Sequence, residues 1–230
     1  MIETVIFDLD GTLAETEEVH RMAFNRAFAD AGLDWDWDVA LYRRLLKVTG
    51  GKERITHFIE QIGGVADPAF VAGLHKAKTA IYTEMVAAGG VPLRPGIAAF
   101  IDEARARGVG LAIATTTSMP NIEALLGAAL GPDWRAIFPV VGAGDMVAKK
   151  KPSPDVYDLV LRELGQKPEL CVAVEDSRNG VLAARAAGLP VIAVRSTYSS
   201  DDDLTGAAVE LPDCEGLSLN LLAQVTPQAV

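Results

Sequence analysis

The beginning of the chain constrains the fold most, because an apolar run there ends in two acidic residues separated by one leucine. Residues 5–7 have the length and β-branched content of a buried strand. Asp8 and Asp10 follow, and Gly11 then breaks the pattern. Side chains two positions apart share one face of a strand, so we expect the two carboxylates to lie close together. They should repel each other unless a cation or a shared proton lies between them. The alternative is a strand end with two solvated acids.

The pattern after this strand predicts the architecture. Residues 15–88 have helical spacing and contain no strand candidate, whereas helices and short apolar strands alternate from Pro95 to about residue 194. Such alternation is typical of right-handed βαβ units around a parallel sheet. We therefore predict an α/β protein with a doubly wound, Rossmann-like parallel sheet core and an inserted all-helical cap domain. The predicted core comprises residues 1–14 and 93–230, and the cap comprises residues 15–92. The tail from Ser199 is acidic and then polar, and residues 201–203 are expected to form a solvated loop or the start of a helix.

Charge and composition exclude several classes of function. A net charge of −10 argues against binding nucleic acid through the overall field of the protein, and no apolar run approaches membrane length. Cys171 and Cys214 do not make a disulfide framework, which favours a reducing compartment. We expect a cytoplasmic protein with a small-molecule partner, without nucleic acid or membrane, and with no obligate protein partner evident.

Two further strand ends carry polar groups. The strand at 109–115 runs into Thr115, Thr116, Thr117 and Ser118, where hydroxyls and backbone N–H groups before a helix make an anion site. The alternative for this run is a simple N-cap. The apolar run at 172–174 ends in Glu175 and Asp176, as the first strand ends in acids.

The haloacid-dehalogenase-like hydrolases have four motifs, and four segments of this chain resemble them in the same order. The segments are those at Asp8 and Asp10, at Thr115, at Lys151 and Pro152, and at Glu175 and Asp176. The resemblance implies Asp8 as the nucleophile and Asp10 as the general acid and base. It implies that Thr115 binds the transferring phosphoryl group, with the backbone N–H of Thr116. Lys151 would offset the negative charge, and Asn121 is a weaker candidate on the first helical turn. Lys149 and Lys150 are expected to be solvated.

The same resemblance implies a metal site. Carboxylate ligands without nearby Cys or His suit Mg²⁺ better than zinc. The expected ligands are Asp8, the backbone carbonyl of Asp10 and Asp176, with Glu175 acting through water.

The helical insertion resembles the subgroup that contains β-phosphoglucomutase and sugar-phosphate phosphatases. In that subgroup, positions such as Glu17 and His20 touch the sugar and support the acid/base Asp, although His20 could instead be a surface histidine. Residues 49–54 resemble the substrate-specificity loop and leave the mutase pattern, because they hold two glycines and two basic residues. The nearest resemblance is to the CbbY-type phosphatases, which dephosphorylate xylulose 1,5-bisphosphate. The candidate substrate-binding residues of the cap are therefore Glu17, His20, Arg43, Gly50, Gly51, Lys52, Arg54, His75 and Lys78.

We expect a Mg²⁺-dependent sugar-phosphate phosphatase that acts through an aspartyl-phosphate, with a sugar bisphosphate as substrate. The alternatives are a sugar phosphomutase on the same core and a binding protein without catalysis. The intact pair of Asp8 and Asp10 argues against the binding protein, because a binder has no use for a nucleophile beside a general acid.

Overall fold

The computed structural model describes residues 2–225 and contains one six-stranded sheet in which every pairing is parallel. The strands lie side by side in the order 3-2-1-4-5-6, so the first strand is central. This arrangement confirms the predicted doubly wound α/β core. The strands are β1 (Thr4–Phe7), β2 (Gly110–Ala114), β3 (Val140–Gly142), β4 (Cys171–Glu175), β5 (Val191–Val194) and β6 (Val209–Leu211).

The register of the central strands brings the polar strand ends together. β1 and β4 are buried along their whole length, as expected of parallel strands covered by helices on both faces. Phe7 pairs with Ile113 of β2 and with Val174 of β4. The residues that follow each strand therefore emerge at one edge of the sheet, where ligands bind in open α/β folds.

Five helices lie between β1 and β2, and the first four of them form one helical block. Asp67 caps the longest of them by accepting a hydrogen bond from the backbone N–H of Phe70, with Pro68 at the first helical position. Their apolar faces enclose a cluster of aromatic rings that includes Phe24, Phe28 and Trp37. The four helices of the block are α1 (Glu17–Asp30), α2 (Val39–Leu45), α3 (Gly51–Gln61) and α4 (Pro68–Gly89).

The two linkers that join this helical block to the sheet run side by side. Ala14 and Leu93 form an antiparallel bridge, and the backbone N–H of Arg94 donates to the carbonyl of Leu13. The buried guanidinium of Arg94 also donates to the carbonyl of Gly11. The pairing fits an insertion that leaves and rejoins the core at one place. The domain boundaries themselves stay a prediction, and their outermost residues, 1 and 226–230, lie outside the described part of the chain.

The remaining helices cover the sheet. The order β2–α6–β3–α7–β4–α8–β5 follows the predicted alternation of helices and strands. They are α5 (Ile97–Ala106), α6 (Met119–Leu130), α7 (Asp155–Leu164), α8 (Arg178–Ala186) and α9 (Leu219–Leu222). Within residues 2–225, no helix is long and apolar enough to span a bilayer.

The C-terminal stretch holds a strand that the sequence did not predict. β6 adds an edge strand next to β5, and Cys214 is 1% exposed although its neighbours in sequence are polar. β3 is as short, but it lies within the alternation of helices and strands that ends near residue 194, whereas β6 lies beyond it.

Candidate active site

A cavity of about 1310 Å³ lies between the carboxyl edge of the sheet and the helical block. Every candidate site residue from the sequence lines it except Glu175, which is fully buried beneath it. The structure thus brings together residues that are up to 168 positions apart in the chain, from Asp8 to Asp176.

Lys151 connects the first and fourth motifs. Its Nζ donates to Asp8 Oδ1 at 2.6 Å, to Glu175 Oε1 at 2.5 Å and to the carbonyl of Ala114 at 2.8 Å. The side chain is 4% exposed. Burial by itself would lower the pKa of Lys151, but the two carboxylates raise it above its ordinary value. The lysine therefore stays charged, and all three of its protons have acceptors.

One lysine does not neutralise the acids around it. Oxygens of Asp8, Glu175 and Asp176 lie within 4.8 Å of one another, and all three residues are buried. Burial, with Glu175 nearby, raises the pKa of Asp176 to about 7 and also holds the pKa of Asp8 well above its ordinary value. The second oxygen of Glu175, Oε2, has no hydrogen-bond partner among the described residues. An all-oxygen cluster with excess negative charge suits Mg²⁺, so the residues present fit the predicted ion.

Asp176 is held by groups that sequence reasoning missed. Its Oδ2 accepts hydrogen bonds from Ser196 Oγ at 2.6 Å and from Ser199 Oγ at 2.9 Å. A Cβ on Gly11, which has a φ of +83°, would lie 2.2 Å from the same oxygen. Only glycine fits there, for both conformation and space. No sequence signal links the two serines, some twenty residues downstream, to this carboxylate.

The carboxylate of Asp10 has partners of its own. It accepts from Thr16 Oγ1 at 2.5 Å and contacts His20 Nε2 at 3.2 Å. Burial opposes ionisation, but the neighbouring His20 and these hydrogen bonds lower the pKa of Asp10. The expected repulsion between Asp8 and Asp10 is thus relieved in a different way: Asp8 is paired with Lys151, and Asp10 with groups from the helical side.

His20 is not a surface histidine. It is buried, stacked on Tyr82 with ring centroids 4.0 Å apart, and its Nδ1 lies 2.6 Å from Lys78 Nζ. Burial lowers the pKa of Lys78 to about 7. Lys76, two positions earlier on α4, is exposed, because residues two apart on a helix do not share a face. The chain Asp10–His20–Lys78 therefore connects the sheet edge to the cap.

The segment after β2 forms the expected polar turn at the N-terminus of α6. Thr115 is buried, and its Oγ1 accepts a hydrogen bond from the backbone N–H of Thr117 at 3.2 Å. Asn121 Nδ2 donates to Thr117 Oγ1 at 2.9 Å, while Asn121 Oδ1 is buried without a partner among the described residues. Thr116 also lines the cavity. Hydroxyl groups and helix N–H groups thus surround one end of the cavity, as an anion site requires.

The loop at residues 49–54 packs closely against neighbouring side chains. Gly50 has a φ of +98°, and α3 starts directly after it at Gly51. A Cβ on Gly51 would lie 2.6 Å from the ring of His75. Burial, with Lys78 and Lys52 nearby, lowers the pKa of His75 to about 4, so this ring is neutral at physiological pH. Lys52 follows on the first turn of α3 and is exposed.

Arg54 differs from Lys52, with which the sequence grouped it. Its guanidinium is buried, with Nε donating to the carbonyl of Leu45 and Nη1 to Tyr42 OH, both at 3.3 Å. Tyr42 OH in turn donates to Glu17 Oε2 at 2.8 Å. Glu17 is therefore fixed by an aromatic hydroxyl that the sequence did not single out. Arg43, on the next position of α2, points to the core and donates to the carbonyl of Thr197 at 2.9 Å.

The prediction for Lys150 was wrong. Lys149 is exposed, as expected, but Lys150 is half-buried and lines the cavity. Its Nζ donates to the carbonyl of Gly144 at 2.5 Å, and its Cε lies 3.1 Å from where a Cβ on Gly50 would be. Lys150 is half-buried because the loop around Gly50, which is distant in sequence, lies over its side chain.

Known proteins are similar to this chain in sequence and in fold. The protein CbbY from Cereibacter sphaeroides is 54% identical over 207 residues, which cover 90% of each chain. A crystal structure of CbbY from Rhodobacter sphaeroides with phosphate has a TM-score of 0.91 and 52% identity, over 95% of this chain and 97% of that one. A second structure, of a CbbY variant from the same organism in complex with xylulose 1,5-bisphosphate, has a TM-score of 0.91 and 51% identity over the same shares.

The family comparison agrees with these relatives. Residues 2–188 match the family model of the haloacid dehalogenase-like hydrolases, which is most of the 230-residue chain. The matched range holds all four predicted motifs, although it ends before the two serines that hold Asp176. This chain belongs to the haloacid dehalogenase-like hydrolase family.

Proposed function

We propose that this protein is a Mg²⁺-dependent phosphatase that removes one phosphate from a sugar bisphosphate, with xylulose 1,5-bisphosphate as the best candidate. The observation that carries the proposal is the buried group of Asp8, Lys151, Glu175 and Asp176 at the floor of a cavity lined by cations. The relative that binds xylulose 1,5-bisphosphate supports the choice of substrate.

In the proposed reaction, a carboxylate oxygen of Asp8 attacks the phosphorus of the substrate and forms an aspartyl-phosphate. Lys151, 2.6 Å from Asp8, holds this carboxylate in position and offsets the negative charge of the phosphoryl group. Thr115 and the backbone N–H of Thr116 would bind phosphoryl oxygens at the start of α6. Mg²⁺ bound by Asp8, the carbonyl of Asp10 and Asp176, with Glu175 through water, would supply further positive charge.

Asp10 is proposed to move the protons. It would protonate the leaving sugar oxygen and then deprotonate the water that hydrolyses the aspartyl-phosphate. Asp10 must carry a proton into the first step, and its lowered pKa favours loss of that proton to the leaving oxygen and the carboxylate form needed in the second step. The contact with His20, which Lys78 supports from the other side, would hold Asp10 in position between the two steps.

The distal end of the substrate would meet the cap. Nearly half of the chain's 21 lysines and arginines line the cavity, although the net charge of the protein is −10. We infer that Lys52 and the N–H groups after Gly50 contact the non-reacting phosphate directly. Arg54 would act through its remaining terminal nitrogen, Nη2, which has no hydrogen-bond partner within residues 2–225. In this proposal residues 15–92 act as the cap that closes over the sugar.

A phosphate-release screen with Mg²⁺ over mono- and bisphosphorylated sugars tests the proposal. We expect release of one phosphate per xylulose 1,5-bisphosphate. A product that is an isomeric phosphate, without released phosphate, would indicate the mutase. Binding without turnover would indicate a binding protein. Either result would overturn the proposed function.

Two variants then test the substrate class. Lys52→Ala should lower kcat/KM for the bisphosphate roughly tenfold or more, because a charge-assisted hydrogen bond is worth roughly 1.5–3 kcal/mol. It should leave p-nitrophenyl phosphate nearly unchanged. Arg54→Ala should also lower the melting temperature, since it breaks two buried hydrogen bonds. Lys149→Ala, exposed and outside the cavity, is the control. Equal losses on both substrates would contradict a distal phosphate site.

A further inference from the structure

Segment 196–199 faces two different parts of the molecule. Ser196 and Ser199, at its two ends, are buried and donate to the same oxygen of Asp176. Ser196 Oγ also accepts the backbone N–H of Ser199 at 3.2 Å, which closes the turn. The two serines therefore form one unit, and its position determines where the Asp176 carboxylate points.

The two middle residues face the helical block. The backbone N–H of Thr197 donates to the carboxylate of Glu15 at 3.2 Å, and its carbonyl accepts from Arg43 at 2.9 Å. Tyr198 OH donates to Glu18 on α1, and its ring packs edge-to-face against Tyr42 of α2 at 5.8 Å. The contacts with Arg43, Glu18 and Tyr42 join the segment to the helical block, whereas Glu15 lies in the linker before α1.

The base of the segment is fixed to the core. Arg94 donates both to the carbonyl of Arg195, just before the segment, and to the carbonyl of Gly11. Gly11 in turn leaves no space for a Cβ beside Asp176. The start of segment 196–199 is therefore tied to the strand ends, while its middle residues touch the cap.

We propose that segment 196–199 couples binding of Mg²⁺ at Asp176 to closure of the cap, with Ser196 and Ser199 as positioning residues. The proposal rests on the metal site of the proposed function. Cap contacts to Thr197 and Tyr198 hold the turn in the position that aims both hydroxyls at Asp176. A closed cap thus raises the affinity for Mg²⁺, and by thermodynamic linkage bound Mg²⁺ favours the closed cap by the same factor.

The test is a double-mutant cycle with Mg²⁺ itself as the probe. Tyr198→Phe keeps the ring and removes the hydrogen bond to Glu18. Glu18→Ala removes the same bond from the cap side, together with the two hydrogen bonds that Glu18 accepts from Arg21 within α1. Neither residue touches Asp176. We expect each variant to bind Mg²⁺ about fivefold more weakly or worse by isothermal titration calorimetry, a typical allosteric coupling factor. The double variant should lose no more than either single one.

A second readout follows the cap directly. Dyes on Val65→Cys in the cap, where Val65 is 95% exposed, and on Glu163→Cys in α7 report closure by energy transfer. Cys171 and Cys214 are buried and should not compete for the label. Mg²⁺ should shift the transfer efficiency towards the closed cap in the otherwise unaltered protein, and clearly less in Tyr198→Phe.

Arg26→Ala, which removes an ion pair with Glu84 on exposed surfaces of the cap, is the control and should bind Mg²⁺ normally. Circular dichroism establishes that each variant is folded. If the unaltered protein binds Mg²⁺ but Tyr198→Phe and Glu18→Ala bind it equally well, the coupling is wrong and the proposed function stands. If the unaltered protein does not bind Mg²⁺, the metal site of the proposed function is wrong, and the coupling that depends on it is wrong as well.

Discussion

Replacing Lys151 by methionine should make the protein less stable in a way that depends on pH and on Mg²⁺. The substitution keeps an apolar stem of similar length but removes the cation that lies 2.6 Å from Asp8 and 2.5 Å from Glu175. Both carboxylates then stay buried without their cation, although Glu175 keeps the hydrogen bond from Tyr157 OH at 2.6 Å. Removing one partner of a buried ion pair typically costs about 3–5 kcal/mol. For a chain of this size, 1 kcal/mol shifts the melting temperature by about 2–4 °C, so we expect a loss of about 6–20 °C at pH 8.

The sign of the pH dependence follows from Asp8. Burial already holds the pKa of Asp8 above its unfolded value of 3.8, and Lys151 is the group that lowers it. Without Lys151 the folded pKa rises further. A carboxyl group whose pKa is raised in the folded protein does not lower the free energy of unfolding at a pH below its unfolded pKa. The loss of stability grows as the pH rises from there towards the folded pKa. The deficit of Lys151→Met should therefore be small near pH 4 and largest near pH 8.

Differential scanning fluorimetry from pH 4 to 8, with and without millimolar Mg²⁺, measures the effect. Mg²⁺ should recover part of the loss, because it restores positive charge beside the carboxylates. Lys149→Met is the matched control, since Lys149 is exposed and should shift the melting temperature little. A melting temperature of Lys151→Met within about 2 °C of the unaltered protein at pH 8, or a larger deficit at pH 5 than at pH 8, would refute this reasoning.

Three further predictions concern the acids of the site. Asp8→Asn should abolish turnover while the protein stays folded, measured as phosphate release and circular dichroism; near-normal activity would exclude Asp8 as the nucleophile. Asp10→Asn should slow turnover by ~10²-fold or more through the lost proton transfer. It should change Mg²⁺ affinity less than Asp176→Asn does, and the reverse order in a calorimetric titration would exchange their roles. Because burial raises the pKa of Asp176 to about 7, the ion must compete with a proton there, so Mg²⁺ affinity should fall as the pH drops from 8 to 6, and a pH-independent affinity would speak against Asp176 as a ligand.

The elements that could be predicted from the sequence are those that a few adjacent residues determine. The buried strand before Asp8, the polar turn at Thr115 and the lysine before Pro152 each follow from a few adjacent residues. Parallel pairing in register then brings these strand ends to one edge, and the alternation of helix and strand already implies parallel pairing. The helical insertion was readable for the same reason, since its periodicity and its glycine stops are local.

The sequence was less informative about which cationic side chains are buried and which are exposed. It grouped Lys52 with Arg54 as two equivalent cap cations and treated Lys150 as solvated. Packing separates them: Arg54 is buried against Tyr42, Lys52 stays exposed, and Lys150 is covered by the loop around Gly50. Whether a cation is covered depends on which other element reaches it, and that information is not local.

The sequence by itself therefore determined the α/β core, the helical insertion and the order of the residues proposed for chemistry, because short-range patterns encode each of them. Only the tertiary structure decided how those residues are held. Ser196 and Ser199 reach Asp176, and Tyr198 reaches Glu18, across loops that carry no pattern of their own. Such contacts arise when separate elements pack against one another, and a hydroxyl group finds its acceptor only after that packing has placed both.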